Sequence, residues 1–332
     1  LGPIEQKAEA MAQVFEHYKP VLSKVEACML EMFDSDVFII PVIGRHLINS
    51  GGKRMRPLFL LMSAELAGYE GDDHLTLASI IESVHTASLL HDDVVDGAES
   101  RRGKPSANSL WGNQVVILVG DYLYSNALKV AVSFNNQRIM ETLSAATTRM
   151  TLGELTQLQK SNSIEITEDE YFDIISSKTG ALISAASRIG GILGKCSKEH
   201  EEALGTFGLM AGNAFQVVDD ILDYKADEGA LGKKLGKDLE EGKVTLPLIY
   251  LLRSANDDER GMVQEILDKD GVSEADLKRV LDLFKSYKAV DEAFERARKL
   301  VEDAKGELEI FPASKVRDRL FELSDYALIR EK

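Results

Sequence analysis

The stretch His91–Lys104, HDDVVDGAESRRGK, sets three aspartates within five positions and then follows them with two arginines and a lysine. A salt-bridged surface would mix acid and base. Segregation suggests a polyanion held by a metal on one side and by guanidinium on the other. The residues just upstream, SVHTASLLH, continue into it as a helix. At about 100° per residue, Asp92 and Asp96 fall within about 40° of each other, with Ser88 and His85 one and two turns below. Like charges four apart destabilise an isolated helix, so this acidic tip calls for a cation.

The pattern returns at Phe215–Asp223, FQVVDDILD, where Asp219, Asp220 and Asp223 form a second triplet at similar spacing. Its flanks, Phe215, Val217, Val218, Ile221 and Leu222, are apolar, so this helix should be buried. One acidic helix end is ordinarily a solvated terminus. Two of them, each after an apolar run, are hard to explain that way. Carboxylates in such pairs suit Mg²⁺, which binds through a few carboxylates, waters and substrate phosphates. An EF-hand is excluded, because Val94 stands where a ligand is needed.

Helical reading extends to the rest of the chain. No proline interrupts residues 106–246, a stretch rich in good helix formers. Leu58, Leu61, Met62 and Leu66 share a face. So do Leu277, Val280, Leu281 and Phe284, and further on Phe294, Ala297, Val301 and Ala304. Thr167 before Glu168, Asp169 and Glu170 reads as a helix cap. Recurrent strand-like alternation is missing. Short loops are expected at 49–52, 68–73, 97–105 and 227–242, with no internal linker. The expectation is an all-α fold in a single domain over residues 1–332.

Composition narrows the function. The chain has 332 residues, 44% hydrophobic, so a sizeable core is available. A net charge of −16 argues against nucleic acid as a partner, and a phosphorylated substrate must be attracted locally. Cys28 and Cys196 stand far apart outside any CxxC pattern, as expected of reduced thiols in a cytoplasmic protein. The N-terminal segment is amphipathic and acidic rather than signal-like. No apolar run approaches 18 residues, so no transmembrane segment is expected.

Four basic segments stand out from this acidity. GGKRMRP places Lys53, Arg54 and Arg56 after two glycines at a helix start, a natural anion site. Arg101 and Arg102 follow the first triplet. Lys178-Thr179-Gly180 interrupts the middle helices. LGKKLGKDLEEGK brings Lys233, Lys234, Lys237 and Lys243 after the second triplet. The glycine-lysine run lacks Walker A spacing. The order base, acid, base, acid, base could hold two phosphorylated ligands, one through metal and one mainly through Arg and Lys.

With GGKRMRP, HTASLLHDDVVD, RRGKPSAN, GDYLY, KTG, FQVVDDILD and LGKKLGKDLEEGKVTLP in hand, the chain resembles the trans-isoprenyl diphosphate synthases of the polyprenyl synthetase family. The similarity runs from about residue 5 to the C-terminus. It implies an isoprenoid-synthase helical bundle around a deep central cavity, and a homodimer. Asp92 and Asp96, with Asp93 assisting, would hold Mg²⁺ against the allylic diphosphate. Asp219, supported by Asp220 and Asp223, would hold a further ion, with up to three Mg²⁺ in all. Lys53, Arg56, His85 and Arg102 would bind isopentenyl diphosphate. Arg101, Lys178, Thr179, Gln216 and Lys233 would contact the allylic diphosphate, with help from Lys243 and farnesyl diphosphate as the expected primer.

The chemistry fits these residue types. Ionising an allylic diphosphate leaves a carbocation and a pyrophosphate whose charge metal ions and lysines stabilise. The isopentenyl double bond attacks, and a proton is then lost. No dedicated base stands out, and the family expectation is that pyrophosphate takes it. A dry pocket keeps water from trapping the cation.

In this family bulky aromatics four and five positions before the first aspartate block the growing product. Here those positions are Ser88 and Ala87, both small, which resembles the long-chain, octaprenyl class with a product near C40. Leu128, Val132 and Phe134 are the candidate tunnel floor. Shorter-chain farnesyl or geranylgeranyl synthases are the alternative if a floor lies elsewhere. A terpene cyclase would not need GGKRMRP and Arg102, and a non-catalytic partner subunit would be expected to lose aspartates. Use of the product as a quinone side chain is plausible by class.

Overall fold

The computed structural model describes residues 3–101, 103–225, 235–269 and 271–329. Arg102, Lys233 and Lys234 lie outside them, as does the first half, 227–234, of the segment expected as a loop over 227–242. The described residues form α1 (Pro3–Met32), α2 (Ile39–Asn49), α3 (Met55–Leu66) and α4 (Asp73–Val95). A two-residue hairpin follows, β1 (Ser100–Arg101) and β2 (Lys104–Pro105), with Ser100 opposite Pro105. Next come α5 (Ala107–Trp111), α6 (Asn113–Ser133), α7 (Gln137–Lys160), α8 (Glu168–Ile175), a π turn (Ser176–Gly180), α9 (Ala181–Leu193) and α10 (Lys198–Leu222). The chain closes with α11 (Lys237–Glu240), α12 (Leu246–Ser254), α13 (Asp257–Leu267), α14 (Glu274–Tyr287), α15 (Ala289–Glu307) and α16 (Lys315–Ile329). The fold is all-α.

Local signals explain several boundaries. Thr167 accepts from the Glu170 amide while Glu170 reaches back to the Thr167 amide, a complete capping box at the start of α8. Asn256 and Glu259 repeat it at α13. Proline at the first turn of α12 costs no intrahelical bond.

Helices α4 and α10 run through the core. Leu77, Ile80, Ile81 and Val84 of α4 are fully buried, as are Leu204, Phe207, Ala211 and Val217 of α10. Helix α10 packs on α9 and α15, α3 packs on α9, and α4 packs on α6. Phe59 and Phe207 meet at 5.7 Å between ring centres. Both central helices therefore bury their apolar turns and carry their aspartates at the C-terminal end. There the backbone carbonyls already make the potential negative, so three carboxylates strongly favour a bound cation.

One helix bears on the expectation of no transmembrane segment. By length and composition α6 is apolar enough to cross a membrane, although no uninterrupted run reaches that length, because Asp121, Asn126 and Lys129 break it. It packs on α4 along one side. On the other side Leu118 and Val132 are exposed, and α7 adds exposed Leu152, Leu155 and Leu158.

Candidate active site

The first aspartate triplet divides its labour. Asp92 is half-buried and Asp96, the C-cap of α4, is exposed. Asp93 turns inward, 2% exposed, and is gripped by Arg101: Nε donates to Oδ1 and Oδ2 at 2.8 and 3.1 Å, and Nη2 lies 2.7 Å from Oδ1. The β1–β2 hairpin returns Arg101 to this position. Asn108 donates to the carbonyls of Asp93 and Ala98, which ties the loop down. In this arrangement Asp93 holds an arginine rather than presenting itself to a metal.

The second triplet behaves alike. Asp219 is exposed, whereas Asp220 and Asp223 are buried. Tyr171 donates to Asp220 Oδ2 at 2.6 Å, and Gln216 donates to Oδ1 at 2.8 Å. The other end of the Gln216 amide accepts from Thr179 at 2.8 Å. Asp223 Oδ2 accepts from the backbone amide of Asp238 at 2.9 Å. The Lys-Thr-Gly segment does not end a helix. It forms the π turn, after which α9 continues directly. A Cβ on Gly180 would lie 2.7 Å from Asn213 Oδ1, so only glycine lets this turn sit so close to α10. That approach puts Thr179 within reach of Gln216.

Both triplets face one space. The Lys178 charge acts on Asp92 and on Asp220, and the charges of Asp96 and Asp238 act on the Lys243 ammonium. A cleft of about 600 Å³ of open space is lined by Lys178, Gln216, Asp220 and Lys243, together with Gln157, Lys160, Tyr171 and Asp238. Lys178 pairs with Glu154 at 2.9 Å and also bonds Gln157, while Lys243 bonds Glu241 at 2.5 Å.

Burial pushes the Asp92 carboxyl up to about 6, helped by the charge of Glu154 and opposed by Lys178. Burial lifts Asp220 to about 7 against the hydrogen bonds from Tyr171 and Gln216. Asp238 is also pushed well up, by burial and then by Asp220 and Asp223. Burial disfavours the Lys243 charge, yet Glu241 holds its ammonium above the ordinary value. These carboxyls bind protons in the folded chain that an unfolded chain has already released. Stability without metal therefore falls as pH rises from about 4 through the folded values near 6 and 7, by up to about 3 kcal/mol for Asp92. The expected melting temperature is lower at pH 8 than at pH 5, with Mg²⁺ restoring more of it at pH 8. A larger Mg²⁺ shift at pH 5, measured by calorimetry, would contradict this.

The fit to a divalent cation follows from the donors. Among the described residues no three His, Cys, Asp or Glu side chains close around one point. Asp220 lines the cleft, while Asp92 and Asp96 lie within charge range of the lysines that line it, and so few carboxylates suit an ion that completes its shell with diphosphate oxygens and water.

A second cleft, about 560 Å³, lies behind α4 and is lined by His85, Arg54, Glu82, Arg101, His46 and Ser106, among others. Lys53 is exposed, its Nζ bonded to the Tyr326 hydroxyl and 4.6 Å from that ring's centre. Arg56 and His85 are half-buried. Of the tunnel candidates, Ala87 is 1% exposed and Ser88 half-buried, its hydroxyl bonded to the His85 carbonyl at 2.8 Å. Leu128 and Phe134 pack against the core. Phe134 caps α6 rather than lying within it. Val132 is 57% exposed on the outward side, so within one subunit it closes nothing.

Sequence reading missed Glu154, Gln157, Lys160, Tyr171, Asp238 and Tyr326. A polar stripe at 154, 157 and 160 was the available signal on α7. Tyr171 and Tyr326 gave none, because each reaches the site from a distant element.

Comparison with known proteins agrees with this architecture. The polyprenyl synthetase family model matches residues 39–284. Octaprenyl diphosphate synthase of Escherichia coli is 38% identical, over 94% of this chain and 96% of that protein. All-trans-nonaprenyl-diphosphate synthase (geranyl-diphosphate specific) of Rhodobacter capsulatus is also 38% identical, over 98% and 99%. The crystal structure of polyprenyl synthase from Caulobacter crescentus, complexed with calcium and isoprenyl diphosphate, superposes with a TM-score of 0.90 at 37% identity, covering 97% of both chains. The chain belongs to the polyprenyl synthetase family. It is a prenyltransferase, a trans-prenyl diphosphate synthase.

Proposed function

We propose that the protein adds isopentenyl diphosphate units head-to-tail to an allylic diphosphate, with Mg²⁺, to give a long-chain product near C40. The observation that carries this is the shared cleft: two aspartate-tipped helices facing Lys178 and Lys243. Mg²⁺ held by Asp92, Asp96 and Asp219 would neutralise the departing pyrophosphate. Lys178 and Lys243 add fixed positive charge at the same place. Thr179 and Gln216 act one step back, orienting Asp220, while Asp93 aims Arg101 and Asp223 anchors the backbone at Asp238. Lys53, Arg56, His85 and Arg102 bind isopentenyl diphosphate, with His85 lining the second cleft. Arg101 and Lys233 complete the allylic side. The released pyrophosphate takes the proton lost after condensation.

Each five-carbon unit buried gains about 4 kcal/mol, at roughly 0.8 per methylene, so an apolar channel retains intermediates until it is blocked. The small side chains of Ala87 and Ser88 put no bulky group beneath Asp92 to block such a channel. The closed packing at Ala87 is the one feature that favours a shorter product.

The exposed leucines of α6 and α7 suit a second copy of the chain. On α7 the polar stripe faces the cleft and the apolar stripe faces out, the reverse of a solvent-exposed helix. A mass of twice 36.6 kDa by light scattering is expected. A monomer at micromolar concentration would refute the dimer.

The test of function is turnover of farnesyl or geranyl diphosphate with labelled isopentenyl diphosphate and Mg²⁺, followed by sizing of the dephosphorylated products. A ladder ending near C40 is expected. Products stopping by C20 would keep the reaction and overturn the long-chain reading. No condensation would overturn both.

A further inference from the structure

Arg54 differs from the two cations that flank it. Lys53 is exposed and Arg56 half-buried, but Arg54 is 6% exposed. Its backbone is left-handed, φ 51° and ψ 43°, a conformation an arginine rarely adopts. The side chain is fixed on three sides. Nε donates to Glu26 of α1 at 2.9 Å, Nη1 lies 3.4 Å from Glu82 Oε1 of α4, and Nη2 donates to the Ile48 carbonyl of α2 at 3.3 Å. One guanidinium thus joins three helices to the turn from which Lys53 and Arg56 project.

Glu82 gives this knot a second consequence. It is 5% exposed, sits one turn before His85 on α4, and lines the same cleft as His85 and Arg54. Among the described residues its buried Oε2 has no hydrogen-bond partner. An uncompensated carboxylate there would repel a diphosphate. Arg54, which also pairs with Glu26, offsets part of that charge.

We propose that Arg54 is a positioning residue for isopentenyl diphosphate. It sets the turn that presents Lys53 and Arg56, and it offsets charge at Glu82, without itself touching the substrate. This rests on the reading that Lys53, Arg56 and His85 bind that diphosphate. None of these three Arg54 contacts is to α7, or to the π turn and α10, which carry Lys178, Thr179 and Gln216 of the allylic side.

The test is steady-state kinetics on the full chain with each substrate varied in turn, beside calorimetric binding of isopentenyl diphosphate alone. Arg54→Gln should raise KM for isopentenyl diphosphate by about tenfold or more, weaken its binding equally, and leave KM for the allylic substrate within about twofold. Adding Glu82→Gln should recover several-fold of that loss, because the repelling charge is gone. Should Arg54→Gln fail to fold, Arg54→Lys keeps the charge, loses the fork, and should raise the same KM by about threefold. Equal rises in both KM values, or a fall in kcat alone, would show a merely structural role and overturn the proposal. A wild-type protein that does not consume isopentenyl diphosphate would instead refute the functional reading beneath it.

Discussion

Replacing Asp92 with alanine lowers condensation activity by about 10³-fold at saturating Mg²⁺ while leaving the fold intact. The expectation rests on where Asp92 sits. It is the half-buried member of its triplet, turned toward Lys178 and Glu154, and its carboxyl is held up near 6 by burial and by Glu154. A carboxylate destabilised in this way is relieved by a divalent cation, so its loss removes metal binding at the leaving group. Without metal, the same substitution should raise the melting temperature or leave it unchanged, because an unfavourable charge has gone. Asp93→Ala should behave differently. It strands Arg101 and opens a buried ion pair, which costs about 3–5 kcal/mol of stability. Rates and melting curves for the two variants separate the roles. More than about a tenth of wild-type activity in Asp92→Ala would sink the assignment of Asp92 to the metal.

Ala87→Phe shortens the product, with the longest chain falling to roughly C20 or below, while the first condensations proceed at nearly the wild-type rate. Position 87 lies five residues before Asp92, about 7.5 Å down the helix. A ring there would block a chain that has gained only a few units. The structure also offers a rival outcome. Ala87 is 1% exposed, so if no channel passes it, the ring overpacks a closed site at a cost of about 1–3 kcal/mol. Sizing the dephosphorylated products and measuring the melting temperature on the same preparation separates the two. An unchanged product with a lowered melting temperature would remove Ala87 from the channel wall. Ser88→Phe then becomes the informative substitution, because Ser88 is the less buried of the pair.

The all-α class was legible because helices announce themselves locally. Apolar residues at spacings of three and four, caps such as Thr167, and a proline-free middle all act within a turn or two of the chain. The two aspartate triplets were legible for the same reason, since each lies within five consecutive residues. The basic segments were visible as composition, and their order along the chain suggested a site.

Which member of each triplet is held by a protein partner was not legible. Asp93 and Asp220 look like their neighbours in sequence, yet one is turned inward by Arg101 and the other by Tyr171 and Gln216. Arg54 reads as one more phosphate-binding cation beside Lys53, but Glu26 and Glu82 enclose it. Tyr326, 273 residues from Lys53, reaches it only because α16 packs against α1 and α3. Val132 shares an apolar pattern with buried neighbours and still faces outward. The sequence alone determined the helices and the chemistry they carry, because periodicity, capping and charge spacing act over a few residues. Tertiary structure alone decided which charges meet, because those contacts join elements far apart in the chain and depend on how their buried faces pack.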